Sequence, residues 1–327
     1  MKTAQDSDKP KVRWIDISEE NSGQRIDNFL ITQLKGVPKT RIYRIIRKGE
    51  VRVNKGRIDN KYRLKDGDNV RIPPVRVAVR ENKIELLPTL KHSLEHGIIY
   101  EDDALIVLNK PSGFAVHGGS GINSGVIEGL RMLRPDARFL ELAHRLDKDT
   151  SGCLLVAKKR SVLKVLHDYF RNDGVKKTYL ALLVGLWERK KLLVTAPLLR
   201  NKGKGGERVV KVSPAGKFAE THFRRIQKYK DLTLVEASPK TGRTHQIRVH
   251  AAWLGHPIVG DSRYGDDVRN RKLKQRGYKR LFLHAKQLQF AHPVTGEIMV
   301  FEAPLAPELE NQLIKEASNK ETYKYGT

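Results

Sequence analysis

The sequence predicts an α+β protein in two parts: a small basic module, then a larger domain built on a mixed, largely antiparallel sheet. Three observations predict it. The 327 residues, 39% of them hydrophobic, exceed what one ordinary core needs. Two helix-period segments and a set of short strands crowd into residues 24–73. From residue 97 onward, apolar runs of strand length alternate with short turns and few helical periods.

Residues 1–22 are polar and without period, as expected of a tail. "RIDNFLITQL" repeats Ile26, Phe29, Leu30 and Leu34 at helical spacing. "PKTRIYRIIRKGEV" predicts a second helix, with Ile42, Ile45 and Ile46 on one side, Arg41, Arg44 and Lys48 on the other, and Gly49 closing it. "VRVNKGRI" reads as strand, turn, strand, with Asn54 and Gly56 supplying the turn, and "GDNVRIP" adds a strand. Residues 24–73 hold fourteen Lys and Arg against five Asp and Glu. A basic face opposed to an apolar one favours nucleic-acid binding over a merely solvated surface. This module is placed at 23–80, with a linker at 81–96, the larger domain at 97–315 and a tail at 316–327.

In the larger domain, "IIYEDDALIVLNKP" predicts strand, turn, strand, and "GCLLVAKK" a buried strand. "SVLKVLHDYFRNDG" predicts a helix capped by Ser161 and ended before Gly174. "KTYLALLVGLW", "AETHFRRIQKY" and "LTLVEA" read as strands, "THQIRVHAAWLG" as a helix, and "LFLHAKQLQFAHPVTGEIMVFEAP" as a closing hairpin.

Charge bounds the partner. Against 63 Lys and Arg stand 37 Asp and Glu, a net +26 that calls for a polyanion. No apolar run approaches a membrane span, and no h-region opens the chain. The single Cys153 cannot form an internal disulfide, which fits a reducing cytoplasm.

Eleven histidines raise the question of a metal, but His245, His250 and His256 lack the companions of any zinc motif, so none is expected. Cys153 reads as a core thiol. The glycines of "HGGSGINSG" match no phosphate-binding spacing, and "RNKGKGGERVVKV" is a basic loop suited to backbone contact. "HRLDKDTSG" holds a histidine, a serine and carboxylates too close in sequence for a triad. By itself it reads as a turn with a surface ion pair. A second dense segment, "PKTGRTHQIRVH", suggests instead that the two build a site.

The segments "QRIDNFL", "VPKTRIYRIIRKGEVRVNKGR" and "YRLKDGDNVRIP" resemble an S4 domain, a small RNA-binding module. "LNKPSGFAVHGG", "AHRLDKDTSGCLLVAK", "KTYLALLVG", "GRTHQIRVHAAWLGHPIVGDSRYG" and "LFLHAKQLQFAHPVTGE" resemble, in order, blocks of the RluA-type pseudouridine synthases. The resemblance implies isomerisation of uridines in 23S ribosomal RNA, free or in a pre-ribosomal particle, by a cytoplasmic monomer that needs no cofactor, metal or membrane. It implies Asp147 as catalytic carboxylate, Arg243 as its paired cation, Tyr179 against the target base, and Arg145 in the space the flipped base leaves. Arg25, Lys39, Arg41, Arg44, Lys48 and Arg52 are the expected RNA contacts of the S4 part. A non-catalytic RNA-binding or assembly factor, and a synthase acting on transfer RNA, remain the alternatives.

Overall fold

The chain divides into two units, Met1–Lys83 and Ile84–Thr327. The computed structural model describes residues 11–34, 36–75, 86–118, 125–202 and 208–322. The first ten residues, residue 35, the end of the expected module and start of the expected linker at 76–85, the interior of the glycine loop at 119–124, loop residues 203–207 and the end of the chain at 323–327 lie outside the described residues.

The first unit runs β1 (Arg13–Asp16), α1 (Ile26–Gln33), α2 (Lys39–Arg47), β2 (Arg52–Val53) and β3 (Asn69–Ile72), with sheet order β1-β3-β2. Its core is the one the helical periods foretell: Ile26, Phe29 and Leu30 of α1 meet Ile42, Ile45 and Ile46 of α2 over Val70 and Ile72. Residues 13–17 of the expected tail are part of this fold, because β1 pairs antiparallel with β3 and Ile17 is buried beside it. An edge strand that sends little into the core leaves no visible alternation. The turn also differs from expectation. Asn54 (φ 49°) and Lys55 (φ 67°) both take the left-handed conformation, and Val53 and Gly56 exchange backbone hydrogen bonds across them. Asn54 is locked there, accepting from Asn69 N and donating to Asp68.

The second unit runs α3 (Pro88–His96), β4 (Ile98–Glu101), β5 (Leu105–Lys110), α4 (Val126–Leu133), β6 (Glu141–Leu142), β7 (Ser151–Ala157), α5 (Arg160–Arg171), β8 (Lys176–Val184), β9 (Lys191–Thr195), β10 (Leu198–Lys202), β11 (Arg208–Val212), β12 (Glu220–Lys228), β13 (Leu232–Pro239), α6 (Gln246–Trp253), α7 (Asp267–Gln275), β14 (Leu283–Ala291), β15 (Ile298–Glu302) and α8 (Pro307–Thr322). The expected linker at 81–96 holds helix α3, and helix α8 runs from the larger domain into the expected tail at 316–327. In α3, Leu90 and Leu94 are buried against α4, and two anchors in a nine-residue helix are too few to show a period. In α8, Leu309 joins the core, and Glu316 accepts from Arg276 and Tyr278, so a polar sequence is bound through side chains. Helix α5 starts at Arg160 behind Lys159, one residue before the expected cap at Ser161.

Ten strands form one mixed sheet, β4-β5-β7-β14-β8-β13-β12-β9, with β6 beside β7 and β15 beside β14. Its one parallel pairing among the described strands is β7 with β14, and it consists of Ser151↔His284 and Gly152↔Ala285. Gly152 has φ +107°, and a Cβ there would lie 2.2 Å from the Ala285 carbonyl oxygen, so only glycine fits this crossing. Register places Tyr179, Ala237 and Phe223 on one face. Helix α6 packs on that face, where His250 meets Thr221 of β12.

Candidate active site

"HRLD" enters β7 with its side chains alternating in direction. His144 is turned inward: its Nε2 accepts the Leu155 amide at 3.0 Å, and its ring stacks on Phe170. Burial pushes its pKa down to about 3, so it is a neutral structural group. Arg145 is exposed and Leu146 is buried in the core. Asp147 then begins a turn closed by Thr150 N donating to its carbonyl at 3.2 Å.

The residues after β5 clamp that turn. Gly113 N donates to the Lys148 carbonyl at 3.0 Å, and Ser112 Oγ to the Asp149 carbonyl at 2.7 Å. The fully buried Lys110 Nζ donates to the carbonyls of Pro111, Phe114 and Lys148 at 2.7, 2.8 and 3.0 Å. Burial pushes its pKa down to about 7, against the three acceptors that match an ammonium's three N–H bonds.

The cation beside Asp147 is Arg248, which corrects the expected Arg243. Arg248 Nη1 donates to Asp147 Oδ2 at 3.2 Å, and its Nε and Nη2 fork onto Asp261, both at 2.8 Å. Arg243 precedes α6, is exposed, and donates from Nε to the Phe218 carbonyl at 2.9 Å. The reason is where the helix starts: α6 begins at Gln246, so Arg248 lies within it and faces the sheet, while Arg243 stays on the entering loop. The signal was present in "QIRVHAAW", since an arginine amid the apolar residues of a buried helix must find a carboxylate. "VGDSRYG" supplies one. Asp261 is fully buried and also accepts from the amides of Arg263 and Tyr264.

Burial opposes charge in both partners of this fork. For Arg248 the hydrogen bonds and charge of Asp261, then of Asp147, prevail and raise its pKa. For Asp261 the Arg248 fork and the two amides prevail and hold its pKa below the ordinary carboxylate value. His245, left-handed at φ 54°, places Nε2 3.7 Å from Asp147 Oδ2, and its Nδ1 lies 2.7 Å from the Tyr264 hydroxyl. Burial lowers its pKa, outweighing the pull of Asp147.

Tyr179, on the α6 face of β8, completes the group. Burial first, and the negative charge of Asp147 second, raise the pKa of its phenol. The hydroxyl has no hydrogen-bond partner among the described residues. Arg248 and His245 both approach Oδ2 of Asp147, and Oδ1 has no hydrogen-bond partner among the described residues. Arg248 and His245 thus hold one oxygen of a carboxylate whose charge Tyr179 also feels, and the other oxygen has no partner among the described residues. Ser151 supports the floor, its Oγ 2.9 Å from His284 Nδ1 and accepting from Arg280 at 3.2 Å. His250 bonds Thr221 and the Ala196 carbonyl, and His256 Nδ1 lies 3.0 Å from the Val184 carbonyl. Among the described residues no cluster of metal-binding side chains occurs. Cys153 is buried, and burial pushes its thiol pKa up to about 12.

In the first unit Arg41 and Arg44 are exposed on α2, as are Lys39 at its start and Lys48 just past its end. Arg25 is engaged, forking onto the buried Asp27, and Arg52 donates to the carbonyls of Gly49 and Lys55. These two brace the fold before they meet any ligand.

Residues 104–253 match the profile of the RNA pseudouridylate synthase family, and residues 24–70 that of the S4 domain. The chain is 58% identical over 313 residues to ribosomal large subunit pseudouridine synthase C of Escherichia coli (strain K12), covering 94% of this chain and 98% of that one. It is 57% identical to the protein of that name in Salmonella typhi, covering 94% and 97%. Among solved structures it is similar to human RNA pseudouridylate synthase domain containing 4, with a TM-score of 0.57 and 29% identity over 70% of this chain and 96% of that one.

Proposed function

The chain belongs to the RNA pseudouridylate synthase family, and we propose that it converts uridines of large-subunit (23S) ribosomal RNA to pseudouridine with Asp147 as the catalytic carboxylate. The observation that carries this reading is the unpartnered Oδ1 of Asp147 beside Tyr179, with Oδ2 held by Arg248. The substrate class rests on the names of the relatives, on the S4 module and on the net +26 charge.

The chemistry balances within the substrate. A bond from Oδ1 to ribose C1′ forms as C1′–N1 breaks, and the electron pair leaves on the uracil ring. The ring turns, C5 bonds to C1′, and the carboxylate is expelled. C5 then loses a proton and N1 gains one, so nothing is added or removed overall. The base must leave its stack to reach Asp147. The exposed Arg145, two residues away, is suited to filling the gap. Tyr179 offers its ring as a wall for the flipped base and a neutral hydroxyl for proton movement. Arg248 keeps the carboxylate oriented through the whole cycle, anchored by Asp261 rather than by substrate.

The test is pseudouridine mapping on 23S fragments with wild type, Asp147→Asn and Tyr179→Phe. Wild type should modify discrete uridines. The Asn variant should keep its melting temperature and form no pseudouridine, while Tyr179→Phe should lose about a hundredfold in single-turnover rate with affinity retained. Turnover by a folded Asn variant would remove Asp147 from the chemistry. Modification of transfer RNA but not 23S fragments would shift the substrate, and RNA binding with no modification at all would support an assembly factor.

A further inference from the structure

A cavity of about 580 Å³ opens on the second unit's sheet, lined by residues of β8, β9, β12, β13 and β14 and by none of the residues around Asp147. Strand register sets the face. Ser238 pairs with His222 and Glu236 with Arg224, and these alternate with Ala237 and Phe223, which share the face of Tyr179 and α6. On β9, Leu193 pairs with His222 and Lys191 with Arg224, which carries the groove out to the free edge of the sheet. The cavity therefore lies mainly on the reverse side of the sheet from the catalytic carboxylate.

Its lining is cationic. Lys176, Lys177, Lys191, Arg224 and Lys240, with His222 between them, face two carboxylates, Asp173 and Glu236. Those two are already committed, Glu236 to Arg224 at 2.7 Å and Asp173 to Lys240 at 2.8 Å. Among the described residues no carboxylate lies within ion-pair distance of Lys176, Lys177 or Lys191. Lys177 is half-buried, and burial lowers its pKa, so an anion beside it would relieve a charge already short of water. Leu193, 51% exposed, adds an apolar surface for a ribose or base face.

We propose that this groove is a second RNA-binding surface that takes the phosphate backbone of the substrate beyond the target uridine, where the strand passes the β9 edge. Three unpaired ammonium groups in a concave groove complement a regular row of phosphates. Flanking Gln287, Gln289, Ser238 and Thr178 offer hydrogen bonds to phosphate or sugar without reading sequence. The inference rests on the proposed action on ribosomal RNA, which supplies the long strand.

The experiment compares wild type with Lys176→Gln/Lys191→Gln, both exposed positions, on two RNAs: a short hairpin holding one target uridine and a 23S fragment of several helices. Pseudouridine formation by wild type on the hairpin tests the proposed function separately. On the long fragment the double variant should flatten the plot of log affinity against log salt by about one to two units. On the hairpin, affinity and single-turnover rate should match wild type. Equal slopes on the long fragment would overturn the proposal, as would equal losses on both RNAs. If the groove served an acidic protein, the RNA slope would stay unchanged while the variant lost retention on immobilised polyglutamate, and that result also overturns it.

Discussion

Two arginines five residues apart in "GRTHQIR" carry opposite expectations. The Arg248 side chain is 8% exposed and forks onto the fully buried Asp261. Arg248→Gln strands that carboxylate and should cost about 3–5 kcal/mol in denaturant unfolding, with activity lost as well. Arg243→Gln should leave stability within about 0.5 kcal/mol, since the side chain is exposed and only its Nε is engaged. An Arg243→Gln variant as unstable as Arg248→Gln would refute the reassignment. His144 gives a pH signature of its own. The unfolded chain binds its proton near the ordinary histidine value of about 6.5, whereas the folded one binds it only near 3. The unfolded state therefore holds more protons between these values. Stability is complete above about pH 6.5 and is lost as pH falls toward 3. His250 and His284, whose pKa values burial also lowers, add in the same direction. Replacing His144 with Gln, whose carbonyl can still accept the Leu155 amide, should make melting temperature less steep in pH across that window. An unchanged slope would mean another group governs the acid limb.

At the scale of elements, the helices that showed a strong period could be read and the ones held by one or two anchors could not. Helix α2 declares itself because three isoleucines oppose three cations, and the structure buries the former and exposes the latter. Gln at Arg41, Arg44 and Lys48 together should flatten the salt dependence of RNA affinity by about two to three units, measured on a long fragment. No change would mean this face looks only at water. Helix α3 escaped notice because its leucines are merely two, and α8 because Glu316 is satisfied by Arg276 and Tyr278, partners forty and thirty-eight residues distant. The candidate site was legible in its segments but not in its pairings. Asp147 lies near enough to Tyr179 for its charge to act on the phenol, yet which arginine faces Asp147 depends on the residue at which α6 begins. Lys110 reaches the Lys148 carbonyl, thirty-eight positions on, through a contact that no local pattern encodes.

At the scale of the molecule, the mixed sheet follows from strand-length runs and short turns, but its strand order does not. Non-local pairing is decided by packing, and the two residue pairs between β7 and β14 leave little trace in either strand. Gly152 is the exception, because its backbone admits no side chain. Gly152→Ala should cost about 1–3 kcal/mol in backbone strain, with overpacking against Ala285 in addition. Denaturant midpoints within error of wild type would show that the crossing can yield. The same crossing has a consequence in time. Asp147 lies in the turn that enters β7 on one side of it, while Tyr179 lies in β8 on the other side, where His245 and Arg248 belong to the start of α6; Asp147 and Arg248 are separated by 101 positions along the chain. During refolding, circular dichroism should recover before activity does, because contacts so distant in sequence close late. During synthesis the basic module emerges and can fold first. The chain stays chemically inert until β14 has been made and the two sides of the sheet have met.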